Sequence, residues 1–193
     1  AAGMNTFPLG AAIAKSIQLE IINDKEQFAD YDFLMAEIHL TLKLQLPSSV
    51  ESVNKGTYTV ITPETYGSTI IVEAVDDMYK ADKDYATKLK FPATTGEMYR
   101  DICERKGFMM GSVTFLHDDF VVKTRPEGVT ERQVLGYIAM IACGNARFDV
   151  DGFLKIQTYN FGKYIAPIMG SDRKYILDTN GKRILSVWGK NNK

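Results

Sequence analysis

Residues 37–46, EIHLTLKLQL, alternate without a break. Ile38, Leu40, Leu42, Leu44 and Leu46 fall on one side, and Glu37, His39, Thr41, Lys43 and Gln45 on the other. A period of two held this long cannot sit on a helix, whose side chains repeat about every 3.6 residues. It predicts a strand with one face in a core and one in water. The pattern recurs in SIQLEI, residues 16–21. Two further β-branched runs, GTYTVIT (56–62) and STIIVEAV (68–75), are separated by PETYG, where Pro63 and Gly67 mark a turn. Strands joined by short connections predict an antiparallel sheet curled into a barrel-like form. FADYDFLMA (28–36) is aromatic and aperiodic, and reads as a connection packed over one end of that sheet.

Near Pro92 the period changes. In TTGEMYRDICERKG (94–107), Thr94 and Glu97 have capping-box spacing, Met98, Ile102 and Cys103 share a stripe, and Gly107 suits a left-handed helix end. Thr130 and Gln133 repeat the device ahead of Val134, Leu135, Ile138, Ile141 and Ala142, with Gly144 expected to stop the helix. Gly136 and Ala139 would let this helix approach the sheet closely. Period two then returns in ARFDV and FLKIQTY around Asp151-Gly152, a strong hairpin signal. VTFLHDDFVVKT, between the helices, reads as one or two strands. KYILD and KRILSVW flank Thr179-Asn180-Gly181 as a last hairpin before a polar tail. The expected class is α+β and β-rich. Residues 1–91 would form an antiparallel β-barrel-like domain, 92–159 a small helix-strand-helix-hairpin α+β domain, and 160–193 a C-terminal hairpin extension that could open a further domain.

Composition bounds the function. Lys and Arg total 23 and Asp and Glu 24, a net charge of -1 over 193 residues. Such a balance gives no general pull toward nucleic acid or an anionic membrane. No run approaches the roughly 18–20 apolar residues of a membrane span. AAGMNTFPLGAAIAKS lacks the basic start of a signal peptide, and a chain opening on Ala1 reads as a fragment or a processed form. Cys103 and Cys143 are too few for a disulfide scaffold or a four-thiolate zinc site, and His39 and His117 are the only histidines.

Each candidate for chemistry has a plainer structural reading. Cys143 falls at a helix C-terminus, where the macrodipole disfavours a thiolate, so it is expected to be a small buried hydrophobe, as is Cys103. Asp149-Val150-Asp151-Gly152 lacks the later ligands of a calcium loop and reads as a turn. Asp76-Asp77 and Asp118-Asp119, taken as strand neighbours, would point to opposite faces and not converge. His117, beside Asp118, reads as a solvated loop residue, and His39 as a polar-face residue with no partner at ligand spacing. No nucleophile elbow or phosphate-cradling glycine loop is present in the sequence. The aromatics are spread through the strands and not set in a basic groove. The reading assigns no catalytic, cofactor-binding or metal-binding residue, and expects no enzyme and no cofactor.

The order of segments carries more than any one of them. NTFPLGAAIAKSIQLEIIN, DYDFLMAEIHLTLKL, KGTYTV, IIVEAVDDMYKADKDY, FPATTGEMYRDICERKGF and FVVKTRPEGVTERQVLGYIAMIACGNARFDVDGFLKI follow one another over about residues 4–160. The run resembles one in tail proteins of phages and prophages of Gram-positive bacteria, the baseplate-hub or tail-tip family. The glutamine-led helix ending in Ala-Cys-Gly before an Asp-Gly hairpin, and DDMYKAD after a strand, are its most telling parts. From about Phe161 the chain departs from the family pattern. The resemblance implies a structural virion protein, a homo-oligomer and in that family usually a trimer, joining tail tube and distal tail to baseplate, spike or fibre. It would reside in the virion tail, and in the host cytoplasm during assembly. The alternatives are a cell-wall-degrading peptidase using Cys143 and His117, and a carbohydrate- or receptor-binding module built on the aromatic residues.

Overall fold

The computed structural model describes residues 9–28, 30–66, 68–159, 165–167 and 185–187. In chain order the elements are β1 (Ala12–Ile13), β2 (Ser16–Ile22), β3 (Glu37–Gln45), β4 (Val50–Tyr66), β5 (Thr69–Val75), a 3-10 helix (Asp77–Ala81), β6 (Ala93–Thr94), α1 (Thr95–Lys106), β7 (Met109–Met110), β8 (Val121–Val122), α2 (Glu131–Ile141), β9 (Gly144–Phe148), β10 (Phe153–Thr158), β11 (Ile165–Pro167) and β12 (Leu185–Val187). The chain is α+β and rich in strand, as its periodicities predict. It divides into two compact units, residues 1–158 and 159–193. In the second unit, β11 pairs antiparallel with β12. The expected partner segment KYILD and the Asn180-Gly181 turn lie outside the described residues.

The first sheet runs β2-β5-β4-β3, all antiparallel, as a half-barrel with β2 and β3 at its edges. Alternation puts Tyr58, Val60, Ile70, Val72 and Ala74 in a core, with Ile17, Leu19, Ile21, Ile38 and Leu40 packed around them. The connection from β2 to β3 joins opposite edges of the sheet. Its Phe28 and Phe33 close over this core, with ring centroids 6.2 Å apart, which is the packing role predicted for the aromatic stretch.

Two features of this sheet differ from the sequence expectation. Pro63 does not mark a turn. It sits inside β4 opposite Val72, in a strand that runs without interruption from Val50 to Tyr66. A register shift between Val60 and Thr62 absorbs the irregularity nearby. In addition, only the first half of the β3 alternation meets a core. β5 pairs with β4 from Thr59 onward, so residues 41–45 and 50–54 form a two-stranded hairpin that extends past the rest of the sheet. Leu42, Leu44 and Val53 there are 56%, 59% and 53% exposed, although they continue the face of Ile38 and Leu40.

The second sheet runs β1-β9-β10-β7, mixed parallel and antiparallel, and carries α1 and α2 against it. Both capping boxes form. Thr94 Oγ1 accepts from the Glu97 amide and Thr130 Oγ1 from the Gln133 amide, each at 3.2 Å, and each N3 side chain accepts in return from the cap amide. Met98, Ile102, Cys103, Val134, Leu135, Ile138 and Ala139 bury against Ala146, Phe148, Leu154 and Ile156. Tyr99 reaches through this core, its hydroxyl donating to the Leu154 carbonyl at 2.5 Å. Glu131, fully buried at the start of α2, is ion-paired with Arg105 and Lys106 from the last turn of α1, which ties the two helices together. VTFLHDDFVVKT yields only β8, paired with β6, within a run of turns.

Gly136 lies under the lead-in to β1. A Cβ there would come within 2.7 Å of the Gly10 carbonyl oxygen, so the close approach predicted for this helix is to the segment entering the sheet edge. Gly144 is required for another close approach and not for a helix stop. It opens β9, where a side chain would collide with the Gln157 carbonyl across the hairpin. The left-handed residue after α2 is Cys143, with φ of 52°.

Candidate functional site

The chain leaves β5 at Val75 and turns at once. Asp76 is not in a strand but is the N-cap of the 3-10 helix, its Oδ1 accepting from the Met78 amide at 3.2 Å. The expectation that Asp76 and Asp77 diverge rested on strand geometry. At a helix start both carboxylates instead line one cavity of about 340 Å³. The polar face of β3 and β4 supplies Glu37, His39, Thr57 and Thr59 to the same cavity, and the β9–β10 turn supplies Asp149 and Asp151. Asp151-Gly152 thus makes the predicted hairpin and also contributes a carboxylate to this wall.

His39 has partners the sequence reading did not give it. Its Nε2 lies 2.8 Å from Glu37 Oε1 and its Nδ1 3.0 Å from Thr57 Oγ1. The signal was available, since residues two apart on a strand share a face. Lys80 pairs with Asp77 at 2.8 Å and Lys155 with Asp149 at 2.7 Å. The Asp149 carboxylate also accepts the amides of Asp151 and Phe153, both at 2.9 Å. Burial pushes the Asp149 carboxyl up, but the Lys155 ammonium and these amides outweigh it and hold the group below the usual range. Asp76 goes the other way. It is 2% exposed, and burial raises its carboxyl against the pull of backbone hydrogen bonds at Lys15 and Met78. Its Oδ2 accepts no hydrogen bond among the described residues.

The cysteines separate. Cys103 is buried, as expected, and burial pushes its thiol up to about 11. Cys143 is exposed, which corrects the expectation of a packed sulfur. A left-handed residue just past a helix turns its side chain away from the helix face that meets the core, so a small apolar residue there goes to solvent. His117 is also exposed and left-handed, with φ of 60°; its carbonyl accepts from Thr95 Oγ1 at 2.6 Å, as part of the turn that seats α1. Asp118 belongs to that turn too, its carbonyl accepting from the Gly96 amide at 2.8 Å. No hydrogen bond joins Cys143 to His117 among the described residues. No group of three or more histidine, cysteine or acidic residues with metal-holding geometry occurs among the described residues, and no described helix is long and apolar enough to cross a membrane.

A second surface is apolar. A groove of about 410 Å³ runs between α2 and the β8 segment, lined by Met98, Phe120, Val122, Tyr137, Ile138 and Ile141 among others. Together with the β3–β4 hairpin it makes two exposed apolar regions on a chain of ordinary composition.

No family model matches the chain, and no curated protein matches it. Among solved structures it is similar to the 43 kDa tail protein of prophage MuSo2 from Shewanella oneidensis, at 16% identity and a TM-score of 0.45, over 82% of this chain and 51% of that one. The chain therefore spans about half the length of that protein.

Proposed function

We propose that this chain is a structural subunit of a phage or prophage tail, a hub or tail-tip protein that joins the tube to the baseplate, spike or fibre and works as a homo-oligomer, with a trimer as the expected state. The order of its sequence segments supports the family. The observation that carries an assembly role is the β3–β4 hairpin. Leu42, Leu44 and Val53 continue a core face into solvent, and β3 beside them is an edge strand of the sheet. Isolated proteins blunt such edges, whereas assembling ones cover them. A stable contact of this kind commonly buries about 1,200–2,000 Å² in total.

The test is the mass of the purified chain in solution, by light scattering and native mass spectrometry over a concentration series. Wild type is expected to self-associate, and the double variant L42S/L44S to shift toward monomer with its melting temperature retained. A wild type that stays monomeric at every concentration, and is unchanged by the double substitution, overturns the reading. The exposed Cys143 offers a thiol-peptidase reading its one foothold. Under the tail reading Cys143→Ser leaves association unchanged, and the protein cleaves no peptidoglycan with or without the thiol.

A further inference from the structure

The two exposed apolar regions of the chain have opposite shapes. The β3–β4 hairpin projects. Residues 41–45 and 50–54 pair with each other and have no third strand beside them among the described residues. Five residues at the usual strand rise carry them roughly 17 Å past the rest of the sheet. The groove between α2 and the β8 segment is recessed, about 410 Å³ in volume, and Phe120, Val121 and Tyr137 in its wall are exposed. Each region also carries a single charge. Cross-strand partners share a face, so the pairs Leu42–Val53 and Leu44–Glu51 set Glu51 beside three apolar side chains, as the only charged group on that face of the hairpin. Lys123 is the only charged side chain that lines the groove. Neither Glu51 nor Lys123 makes an ion pair among the described residues.

An apolar projection and an apolar recess with charges of opposite sign complement each other, and the charges fix which way round they meet. Within one chain they do not meet. The base of the hairpin lies against the β9–β10 turn, where Asn54 Nδ2 donates to the Val150 carbonyl at 3.1 Å, and Leu42, Leu44 and Val53 stay exposed. We propose that the β3–β4 hairpin of one copy seats in the α2–β8 groove of a second copy, with Leu42, Leu44 and Val53 against Phe120, Val121 and Tyr137, and Glu51 facing Lys123. A second copy is the one partner certain to bring both the matching shape and the matching charge. A symmetric pairing of hairpin on hairpin would offer Glu51 no cation from that face and would leave the groove uncovered. The contact is heterologous: it joins two different patches, so each bound pair keeps one open hairpin and one open groove until a ring closes. This inference rests on the homo-oligomer reading above and adds to it which surface meets which.

The experiment mixes two variants that each lack one half of the contact, L42S/L44S without the hairpin face and F120S/Y137S without the groove wall, both checked for folding by their melting temperatures. Alone, each is expected to stay monomeric at concentrations where wild type associates. In an equimolar mixture the intact groove of the first takes the intact hairpin of the second, and native mass spectrometry should show a mixed dimer and nothing larger. The charges are tested without touching an apolar side chain, which keeps the proposal open to refutation if F120S/Y137S fails to fold. Glu51→Lys and Lys123→Glu, both at exposed positions, should each weaken association about threefold to tenfold, and the double variant E51K/K123E should return to within about twofold of wild type. A wild type that associates while the mixture stays monomeric or grows beyond a dimer, or whose association is indifferent to the groove substitutions or to charge reversal, overturns this contact and leaves the tail reading standing. A wild type that is monomeric at every concentration overturns both.

Discussion

Among the described residues, the four-stranded first sheet buries five side chains in its core, Tyr58, Val60, Ile70, Val72 and Ala74, while the helices and the second sheet with the segments packed on them bury eighteen in one cluster. The second region has three layers' worth of contacts: two amphipathic helices, a mixed sheet and the 3-10 helix all turn apolar faces inward. The first has a single sheet under one aromatic connection, and its apolar face runs on past that cover into the β3–β4 hairpin. At roughly 25 cal/mol per Å² of apolar surface removed from water, the two regions differ in self-sufficiency. One is a finished core, and the other has apolar face to spare.

The sharpest way to probe the finished core is its buried charge. Glu131→Ala leaves Arg105 and Lys106 facing each other without their shared anion and is expected to destabilise by about 3–5 kcal/mol, read by urea denaturation. Ile102→Ala, at a fully buried position between the helices, should lose about 2–5 kcal/mol in the same measurement. If either were neutral, the second region would not be the anchor described here. Gly136→Leu should overpack the crossing under Gly10 and lower stability by about 1–3 kcal/mol; melting at the wild-type temperature would mean the lead-in to β1 does not lie there.

Two smaller effects concern the first region and its cavity. Asp76 has a folded-state carboxyl raised by burial, so its contribution to stability is fully present below the unfolded pKa and is lost as pH rises through the folded one. Asp149, lowered overall, contributes stability above the unfolded pKa that is lost as pH falls through its folded value. Asp76→Asn should therefore gain on wild type as pH rises through the carboxylate range, and Asp149→Asn should lose. Melting temperatures across acid to neutral pH distinguish the signs. Smallest of all, L42S/L44S should stay within about 0.5 kcal/mol of wild type in stability, because those side chains touch little of their own chain. A large loss would show that the hairpin is part of the monomer's core.

Local signals in the sequence carried the elements whose causes are local. Both capping boxes, the left-handed Gly107 and the Asp151-Gly152 hairpin are set by a few neighbouring atoms, and each forms where the spacing places it. The features missed depend on distant partners. Nothing in EIHLTLKLQL tells how far β5 will reach along the neighbouring strand, so Leu42 and Leu44 read as core residues and are surface ones. Nothing in GYIAMIACGN shows that Gly144 faces the Gln157 carbonyl, which leaves the left-handed turn to Cys143 and sends its thiol outward. The cavity was hidden by one local error with a long reach. Reading Asp76-Asp77 as strand scattered two carboxylates that a helix start brings together opposite Glu37 of β3, and two more arrive from a turn some seventy residues later.

The uninterrupted length of β4 carries a mechanical meaning. Its 17 residues reach roughly 55 Å at the usual strand rise, with the protruding end paired in the sheet with β3 alone, Asn54 donating from its base to the Val150 carbonyl, and the other end laced to β5. A pull on the tip along the strand axis would load many ladder bonds side by side, so they must yield together and not one after another. Whatever grips that tip holds a stiff spar rooted beside Val60 and Val72, and force arriving there passes straight into the heart of the sheet.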